Sequence, residues 1–375
     1  MERRATNPRT HLAVITVAVS LAVLVSVLAG AAVAQAVVPS EGIIVSSPTS
    51  VPTANSTGTP DPVPTETVIG TPAAAPSARC CAAMTYDAAT SSVLLFGGAG
   101  LLGNFGDTWV WNGSAWNQLS PAVTPSPLYN AALAYDAANG TAILFGGQDV
   151  NSQFVNTTWI WDGSTWTQAN PGSSPAARGS ANLVFDAAHG TVLLFGGCCA
   201  AGGQPFDDTW SWNGSSWTQK NPDTSPPNSG SASVAYDAAR QQVVLFSSCC
   251  GESGTWTWNG ATWTRESTTT GPNVGGAIAF DAAQSVVELV QNDGTNWAWN
   301  GSGWSQQSAV TAPGARSQAA LAYDAANQTL LLFGGSGNGF PLNDTWAFDG
   351  SLWVQDTPLT DPLPVLDLTA GLSPG

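Results

Sequence analysis

Three arginines, one glutamate and four phenylalanines are the side chains of this sequence best suited to binding or catalysis. A cluster of guanidinium groups can clamp a carboxylate, and Arg79, Arg178 and Arg316 stand at equivalent places in a repeated unit. Glu288 is the one acid in an otherwise apolar run, so burial would raise its pKa and mark it as a site candidate. Aromatic side chains in loops can anchor a carbohydrate or a protein; four occupy similar places, namely Phe105, Phe154, Phe206 and Phe340.

The six cysteines form three adjacent pairs, Cys80-Cys81, Cys198-Cys199 and Cys249-Cys250. An even number in an exported chain indicates disulfides. The second and third pairs follow equivalent strands of neighbouring units, which is consistent with a bridge between them. The first pair begins a strand far around the repeat, where a vicinal disulfide and two free thiols both stay open. Metal binding is the weaker alternative, because no Cys-x-x-Cys spacing occurs.

The charge balance disfavours several classes of function. The chain has 375 residues and a formal net charge of -16 at pH 7. Such a surface repels phosphate backbones and anionic lipid, so we expect no nucleic-acid partner. The sequence has two histidines, of which His11 lies at the membrane end and His189 in a repeated turn, and this argues against a Ser-His-Asp hydrolase. We expect no catalytic residue, metal or cofactor.

An apolar run from Leu12 to Ala34 follows Arg3, Arg4 and Arg9. Basic residues on this side predict that the amino end stays in the cytoplasm and the remainder is exported. The run is long enough to span a bilayer, but Ala34-Gln35-Ala36 is also a pattern that signal peptidase could cut. We favour an uncleaved anchor. Either way the protein is expected to be extracytoplasmic, either anchored at the cell surface or, if cleaved after Ala36, secreted.

A tryptophan pattern recurs six times and divides the chain into six similar units. Each copy reads Trp-x-Trp-[Asn/Asp]-Gly-x-x-Trp, and only Phe348 departs from tryptophan at these positions. Self-similarity at a fixed period is the signature of a repeat architecture. A second pattern, Tyr/Phe-Asp-Ala-Ala, precedes each copy, at Tyr86, Tyr135, Phe185, Tyr236, Phe280 and Tyr323.

Each unit is predicted to form four antiparallel strands, A to D. Strand A runs into Tyr-Asp, where Asp turns the chain by bonding its own backbone. Strand B is a continuous apolar run such as Val93 to Phe96, which predicts burial on both faces. Strand C holds Trp109 and Trp111 on one face, Asn112-Gly113 supplies a tight turn, and Trp116 begins strand D. Six such units predict an all-β, six-bladed β-propeller.

These residues resemble the kelch repeats. Tyr-Asp, a strand ending in Gly-Gly, Asp-Thr-Trp and a final Trp recur together at about 50 residues per copy, from Ser77 to Thr357. The resemblance implies a ring of blades around a channel, with strand A innermost. Ser247-Ser248 and Gln291-Asn292 replace Gly-Gly in the fourth and fifth units. Whether the ring closes by face packing or by a terminal strand, near Ile43 or Leu363, stays open.

The two ends of the ring differ. The A–B and C–D turns, nearly identical in every unit, form one end, called here the turn face. The B–C loops and D–A linkers vary and form the other, called here the loop face. Binding usually resides in variable loops on a rigid scaffold. For the arginines, however, the resemblance implies structural contacts, which we favour over a carboxylate clamp. Loop packing is favoured for the four phenylalanines and a solvent-facing position for Glu288.

Three functions compete on this scaffold. Galactose oxidase, a kelch relative, needs copper-binding histidines that this chain lacks. Sialidases are six-bladed and use an arginine cluster, and Asp162 to Trp166 is similar to their Asp-box turn, but most units carry Asn there. The leading hypothesis is a non-catalytic, surface-displayed recognition module that binds a protein or glycan through the loop face. The alternatives are a sialidase-like carbohydrate-active enzyme and a structural cell-envelope protein.

The protein is expected to be a monomer that touches the membrane only through its N-terminal helix. Its predicted organisation has five parts: a cytoplasmic basic segment (1–11), a signal anchor or signal peptide (12–36), a disordered Pro/Thr/Ser-rich linker (37–77), the propeller (78–357) and a tail (358–375). The blades are expected at about 78–120, 121–170, 171–221, 222–266, 267–306 and 307–357.

Overall fold

The structure is a computed structural model that describes residues 75–198, 203–227, 232–248, 253–268, 270–309 and 311–356. They belong to the second of two units, Val68–Gly375. No helix in these ranges is long and apolar enough to cross a membrane. The predicted basic segment, signal sequence and tail, and nearly all of the predicted linker, lie outside the described residues.

Six four-stranded antiparallel sheets follow one another along the chain, one per sequence repeat. Blade 1 and its loop hairpin contain β1 (Ala83–Asp87), β2 (Ser92–Phe96), β3 (Ala99–Gly100), β4 (Gly103–Asn104), β5 (Thr108–Trp111) and β6 (Trp116–Leu119). Blade 2 contains β7 (Ala132–Asp136), β8 (Thr141–Phe145), β9 (Thr158–Trp161) and β10 (Trp166–Ala169). Blade 3 contains β11 (Asn182–Asp186), β12 (Thr191–Phe195), β13 (Thr209–Trp212) and β14 (Trp217–Lys220).

The second half of the ring repeats this order. Blade 4 contains β15 (Ala232–Asp237), β16 (Gln242–Ser247), β17 (Gly254–Trp258) and β18 (Trp263–Arg265). Blade 5 contains β19 (Gly276–Asp281), β20 (Val286–Gln291), β21 (Asn296–Trp299) and β22 (Trp304–Gln307). Blade 6 and its loop hairpin contain β23 (Ala320–Asp324), β24 (Thr329–Phe333), β25 (Ser336–Gly337), β26 (Phe340–Pro341), β27 (Thr345–Phe348) and β28 (Trp353–Asp356). The predicted all-β, six-bladed propeller is confirmed.

The ring closes by packing blade 6 on blade 1. The innermost strands contact one another in the order β1, β7, β11, β15, β19 and β23, and β23 contacts β1. The Trp116 indole N–H donates to Thr345 Oγ1 across this last seam at 2.9 Å. Because each described blade already has its own four strands, face packing is enough to close the ring. The segments near Ile43 and Leu363 lie outside the described residues.

Tryptophans fill the seams between blades. Phe96 of blade 1 meets Trp166 of blade 2 edge to face, with ring centroids 5.3 Å apart. The Trp166 indole N–H also donates to Thr108 Oγ1 of blade 1 at 3.0 Å. The same pair of contacts recurs in five of the six seams of the described ring. The repeated tryptophans are therefore the inter-blade core, as their regular spacing predicts.

The turn face is built from one repeated contact. In the C–D turn of blade 3, the Asn213 side chain accepts the N–H groups of Ser215 and Ser216 at 3.1 and 2.9 Å. Gly214, at φ +96°, faces the A–B turn of blade 2, where a Cβ would lie 2.7 Å from Asn139 Nδ2. Only glycine suits both the turn and its neighbour. His189 lies on this face too, with Nδ1 2.8 Å from Asp186 Oδ2.

Candidate functional site

The three candidate arginines are buried inside the blades. Arg79 donates to both carboxylate oxygens of Asp107 at 2.6 and 2.9 Å, and to the carbonyl oxygens of Gly97 and Ser77 at 2.9 Å each. A guanidinium group has about five N–H donors, and these bonds use four of them. The pairs Arg178–Asp208 and Arg316–Asp344 repeat this geometry. Little donor capacity is left for a ligand, which agrees with the structural interpretation.

Blade 2 shows that the ion pair acts as a unit. Leu128 and Thr157 take the positions of Arg79 and Asp107 there, so both charges are absent together. The main chain is unchanged: the Leu128 carbonyl accepts the N–H of Gly98 at 2.9 Å, as the Arg79 carbonyl accepts that of Gly335 at 3.0 Å. The backbone contact between blades thus does not depend on the charges, which instead fix strand A to the end of the B–C loop of the same blade.

The four candidate phenylalanines divide into two groups. Phe105 lies under the Arg79 guanidinium at 3.9 Å from the ring centroid, and Phe206 lies under Arg178 at 3.7 Å. Phe154 packs against Gly179, where a Cβ would lie 3.1 Å from its ring. These three are loop packing, as favoured above. Phe340 differs, because it is 61% exposed at the β25–β26 hairpin.

Large apolar side chains are exposed at loop tips on three consecutive blades. We call Leu101, Leu102, Val150 and Phe340 the loop-tip patch; they are 73%, 104%, 63% and 61% exposed. They come from the B–C loops of blades 1, 2 and 6. Two of these loops are hairpins, β3–β4 and β25–β26, closed by backbone pairing. Large exposed apolar patches are typical of protein-interaction sites.

Neutral polar side chains from four blades stand at equivalent positions at the channel mouth on the loop face. Cys81, Asn130, Ser180 and Gln318, called here the collar, occupy equivalent positions with φ between 51° and 63°. Their main chains are linked blade to blade: Cys81 N–H donates to Gln318 O at 3.0 Å, Asn130 N–H to Cys81 O at 3.0 Å, and Ser180 N–H to Asn130 O at 2.8 Å. The collar lines a cavity of about 300 Å³ to which Asn182 and Asn292 also contribute.

None of the candidate arginines lines this cavity, and neither does Glu288. The charged residues that the sequence offers as a possible site are therefore not brought together at the channel mouth. The collar side chains are hydrogen-bonding but uncharged, which suits a neutral polar group better than a carboxylate. Sequence reasoning missed the collar because its members share no residue type; the signal that could have found it is their constant offset from the Tyr-Asp pattern.

Glu288 is buried, so the favoured expectation of a solvent-facing position is wrong. Its side chain is 3% exposed, on strand β20 where the other blades carry Leu, Ile or Val. Strand alternation places it on the same side as Val290, which packs against Leu330 and Leu332 of blade 6. Burial first, and then the Asp281 carboxylate, raise the pKa of Glu288 to about 8, against a smaller opposing effect of the nearby Asn296 amide.

The seam between blades 5 and 6 departs from the other five at four positions. Besides Glu288, Val290 replaces the seam phenylalanine, Asn296 replaces the threonine that accepts the tryptophan N–H, and Phe348 replaces a tryptophan. The Trp353 indole N–H has no hydrogen-bond partner among the described residues. Phe348 and Trp353 stack at 27°, with centroids 5.0 Å apart, whereas the equivalent pairs are tilted.

The first cysteine pair consists of free thiols with Sγ atoms 2.6 Å apart, Cys80 and Cys81. Cys198 is disulfide-bonded, but Cys199, Cys249 and Cys250 lie outside the described residues, so the bridge between blades 3 and 4 stays a prediction. Within the described ranges, no group of three or more His, Cys, Asp or Glu side chains could hold a metal ion.

Comparison with known proteins agrees with this geometry. A family model described as the KLHDC2/KLHL20/DRC7 Kelch-repeats domain matches residues 65–247. The family match and the six-bladed fold together support a kelch-type β-propeller. This kelch propeller also aligns with a solved structure entitled "Structure of YjhT", with a TM-score of 0.56 and 13% identity over 76% of this chain and 99% of that chain. At that identity the likeness shows the fold alone. Comparison with curated proteins gives no match.

Proposed function

We propose that the kelch propeller is a recognition module that binds a protein partner through its loop face, outside the cytoplasm. The observation that carries this proposal is the loop-tip patch, whose large apolar side chains project from three neighbouring blades. Burial of such side chains in a partner's pockets is the usual source of interface energy. The apolar run from Leu12 to Ala34 supports display on the cell surface.

The turn face is a weaker candidate for the same role. Its Asx turns are repeated in blade after blade, and their side chains are occupied by hydrogen bonds to their own backbone. Exposed large apolar side chains in the described part lie instead mainly at the loop tips, with Val123 and Val354 elsewhere. A partner with a neutral or basic surface fits best, because the chain carries a net charge of -16.

The contacts of the arginines favour this proposal over the sialidase-like alternative. A carboxylate clamp needs guanidinium groups free to meet substrate. In each blade that carries the arginine, Asp107, Asp208 or Asp344 already occupies it in a bidentate pair. A ligand would have to displace the carboxylate partner of a buried guanidinium group at each position, at a cost of several kcal/mol.

The loop-tip patch can be tested with the full chain in mild detergent. The triple variant Leu101→Ser, Leu102→Ser, Phe340→Ser is compared with Val354→Ser, which removes an exposed apolar side chain from an outer strand. A partner captured from extracellular proteins is identified and its affinity is measured by titration. We expect a loss of about tenfold or more in the triple variant, since each hot-spot side chain contributes about 1–2 kcal/mol, and no loss in the control. Equal affinity for all three chains would overturn the proposal.

A second candidate function is suggested by the collar. Its cavity of about 300 Å³ is large enough for one sugar residue, and its Asn, Ser and Gln side chains can bond hydroxyl groups. Glycan-array binding that is lost in Asn130→Ala but kept in the loop-tip triple variant would support this function. Binding that depends only on the loop tips would leave the protein-partner proposal standing alone.

A further inference from the structure

We propose that Cys80 and Cys81 form a redox modification site at the channel mouth. Exchange with an external small-molecule disulfide converts the two thiols into a vicinal disulfide, and thiols reverse the reaction. This inference concerns the chemistry of the collar and does not depend on the proposed protein partner.

The backbone brings the two sulfur atoms together. Successive side chains of an extended strand point to opposite faces, so adjacent cysteines in a strand do not meet. Cys81 has a left-handed backbone, at φ +63°, which breaks that alternation. The Sγ atoms lie 2.6 Å apart, within about 0.6 Å of the bonded distance of a disulfide.

Main-chain hydrogen bonds hold this conformation independently of the sulfur atoms. Cys80 exchanges two bonds with Ala99 of the same blade, at 3.0 and 2.9 Å. Cys81 N–H donates to Gln318 O of blade 6, and Cys81 O accepts from Asn130 N–H of blade 2, each at 3.0 Å. The equivalent collar residues Asn130, Ser180 and Gln318 have the same left-handed backbone without cysteine. The fold therefore prepares the pair for oxidation.

The two thiols differ in reactivity. The hydrogen bond from Cys81 lowers the pKa of Cys80 to about 7, despite partial burial. The pKa of Cys81 is raised, first by its hydrogen bond to Cys80 and then by burial and the Cys80 charge. Both side chains are partly exposed. Because the thiolate is the attacking species, Cys80 is the first nucleophile and Cys81 the second.

The reaction balances as a thiol–disulfide exchange. The Cys80 thiolate attacks one sulfur of the external disulfide, forms a mixed disulfide and releases one thiolate. The negative charge on Cys80 that disfavoured ionisation of Cys81 is then gone. Cys81 loses its proton and attacks the Cys80 sulfur, which expels the second thiolate. Two cysteine thiols are oxidised and one external disulfide is reduced to two thiols.

The test uses the full chain, equilibrated with ratios of oxidised to reduced glutathione, then alkylated and digested with trypsin. No Lys or Arg lies between Arg79 and Arg178, so the fragment from Cys80 to Arg178 holds these two cysteines and no others. In oxidising buffer the fragment should lose the mass of two hydrogen atoms and take up no alkylating reagent. In reducing buffer it should take up two alkyl groups.

Native structure should favour the bridge. We expect the oxidation equilibrium in the folded chain to exceed that in the urea-unfolded chain by about tenfold or more. In matched variants, Cys80→Ser and Cys81→Ser, the remaining thiol should stop at a glutathione adduct. Two alkyl groups at every ratio, glutathione on both cysteines, or no difference between folded and unfolded chains would each overturn the proposal. The measurement on the unaltered chain tests the proposal even where a variant fails to fold.

Discussion

Glu288 places a carboxyl group among the apolar side chains of two blades. The folded-state pKa of about 8 lies above the ordinary value of 4.5, chiefly because burial disfavours the charged form. The folded chain therefore binds this proton more tightly than the unfolded chain does. Stability from the neutral form is complete below about pH 4.5 and is lost as the pH rises through about 8.

The first prediction follows from the direction in which this pKa is shifted. Glu288→Leu, which restores the residue found at Leu94 in blade 1, should raise the free energy of unfolding at pH 9 by roughly 2–4 kcal/mol and by less at pH 5. Urea unfolding between pH 5 and pH 9 measures the difference. Asp223→Asn, at an exposed acid outside the seam, serves as the control and should follow the wild type. Parallel pH profiles for wild type and Glu288→Leu would contradict the burial argument.

The sequence reveals Glu288 only in part. The repeat alignment shows that an acid replaces Leu, but the burial depends on the neighbours across the seam. Val290, Asn296 and Phe348 are each an ordinary residue for a strand, and they lie in three strands of two blades. Only the ring brings them to one seam, because blade 5 packs against blade 6 through residues far apart in the chain. The sequence therefore predicts an irregular blade and misses the shared location.

The C–D turns connect strands within a blade and also brace the preceding blade. Gly214 has φ +96°, and a Cβ there would meet Asn139 of blade 2. Asn139 is itself held by Asp136, to which its Nδ2 donates at 2.8 Å, so it is not free to swing away. Gly140, at φ +68° in an A–B turn, has nothing within 4 Å of its Cβ position. A comparison of the two glycines therefore distinguishes the cost of backbone strain from the cost of disturbing the contact between blades.

Replacement of both glycines by alanine tests this division. Gly140→Ala should cost about 1–2 kcal/mol, the strain of a left-handed alanine. Gly214→Ala should cost at least about 1 kcal/mol more, because the new methyl group also displaces the Asn139 amide. The free energy of urea-induced unfolding measures both. Equal losses would mean that the C–D turn does not brace its neighbour.

At the scale of the ring, the blade count was predictable because every unit carries the same Tyr-Asp and Trp landmarks, and the innermost strand was implied by the kelch resemblance. The closure was not predictable, since the contacts that join blade 6 to blade 1 use the same residue types as four of the five internal seams. The Trp116–Thr345 bond that closes the ring and the Trp217–Thr158 bond between blades 2 and 3 are chemically equivalent. In the described residues, blade 6 meets blade 1 as blades 1 to 5 meet one another.

The closing seam should be no weaker than the regular internal seams. Thr345→Val and Thr158→Val each remove a buried hydroxyl and leave an indole N–H without its acceptor, at about 1–3 kcal/mol. We expect equal losses and a single transition in both variants, with tryptophan fluorescence and far-ultraviolet circular dichroism coinciding in urea. An early, separate transition in Thr345→Val alone would show that the closing seam is weaker and that the ring opens there. Because the closing bond is the same as the internal one, the geometry predicts that the two variants behave alike.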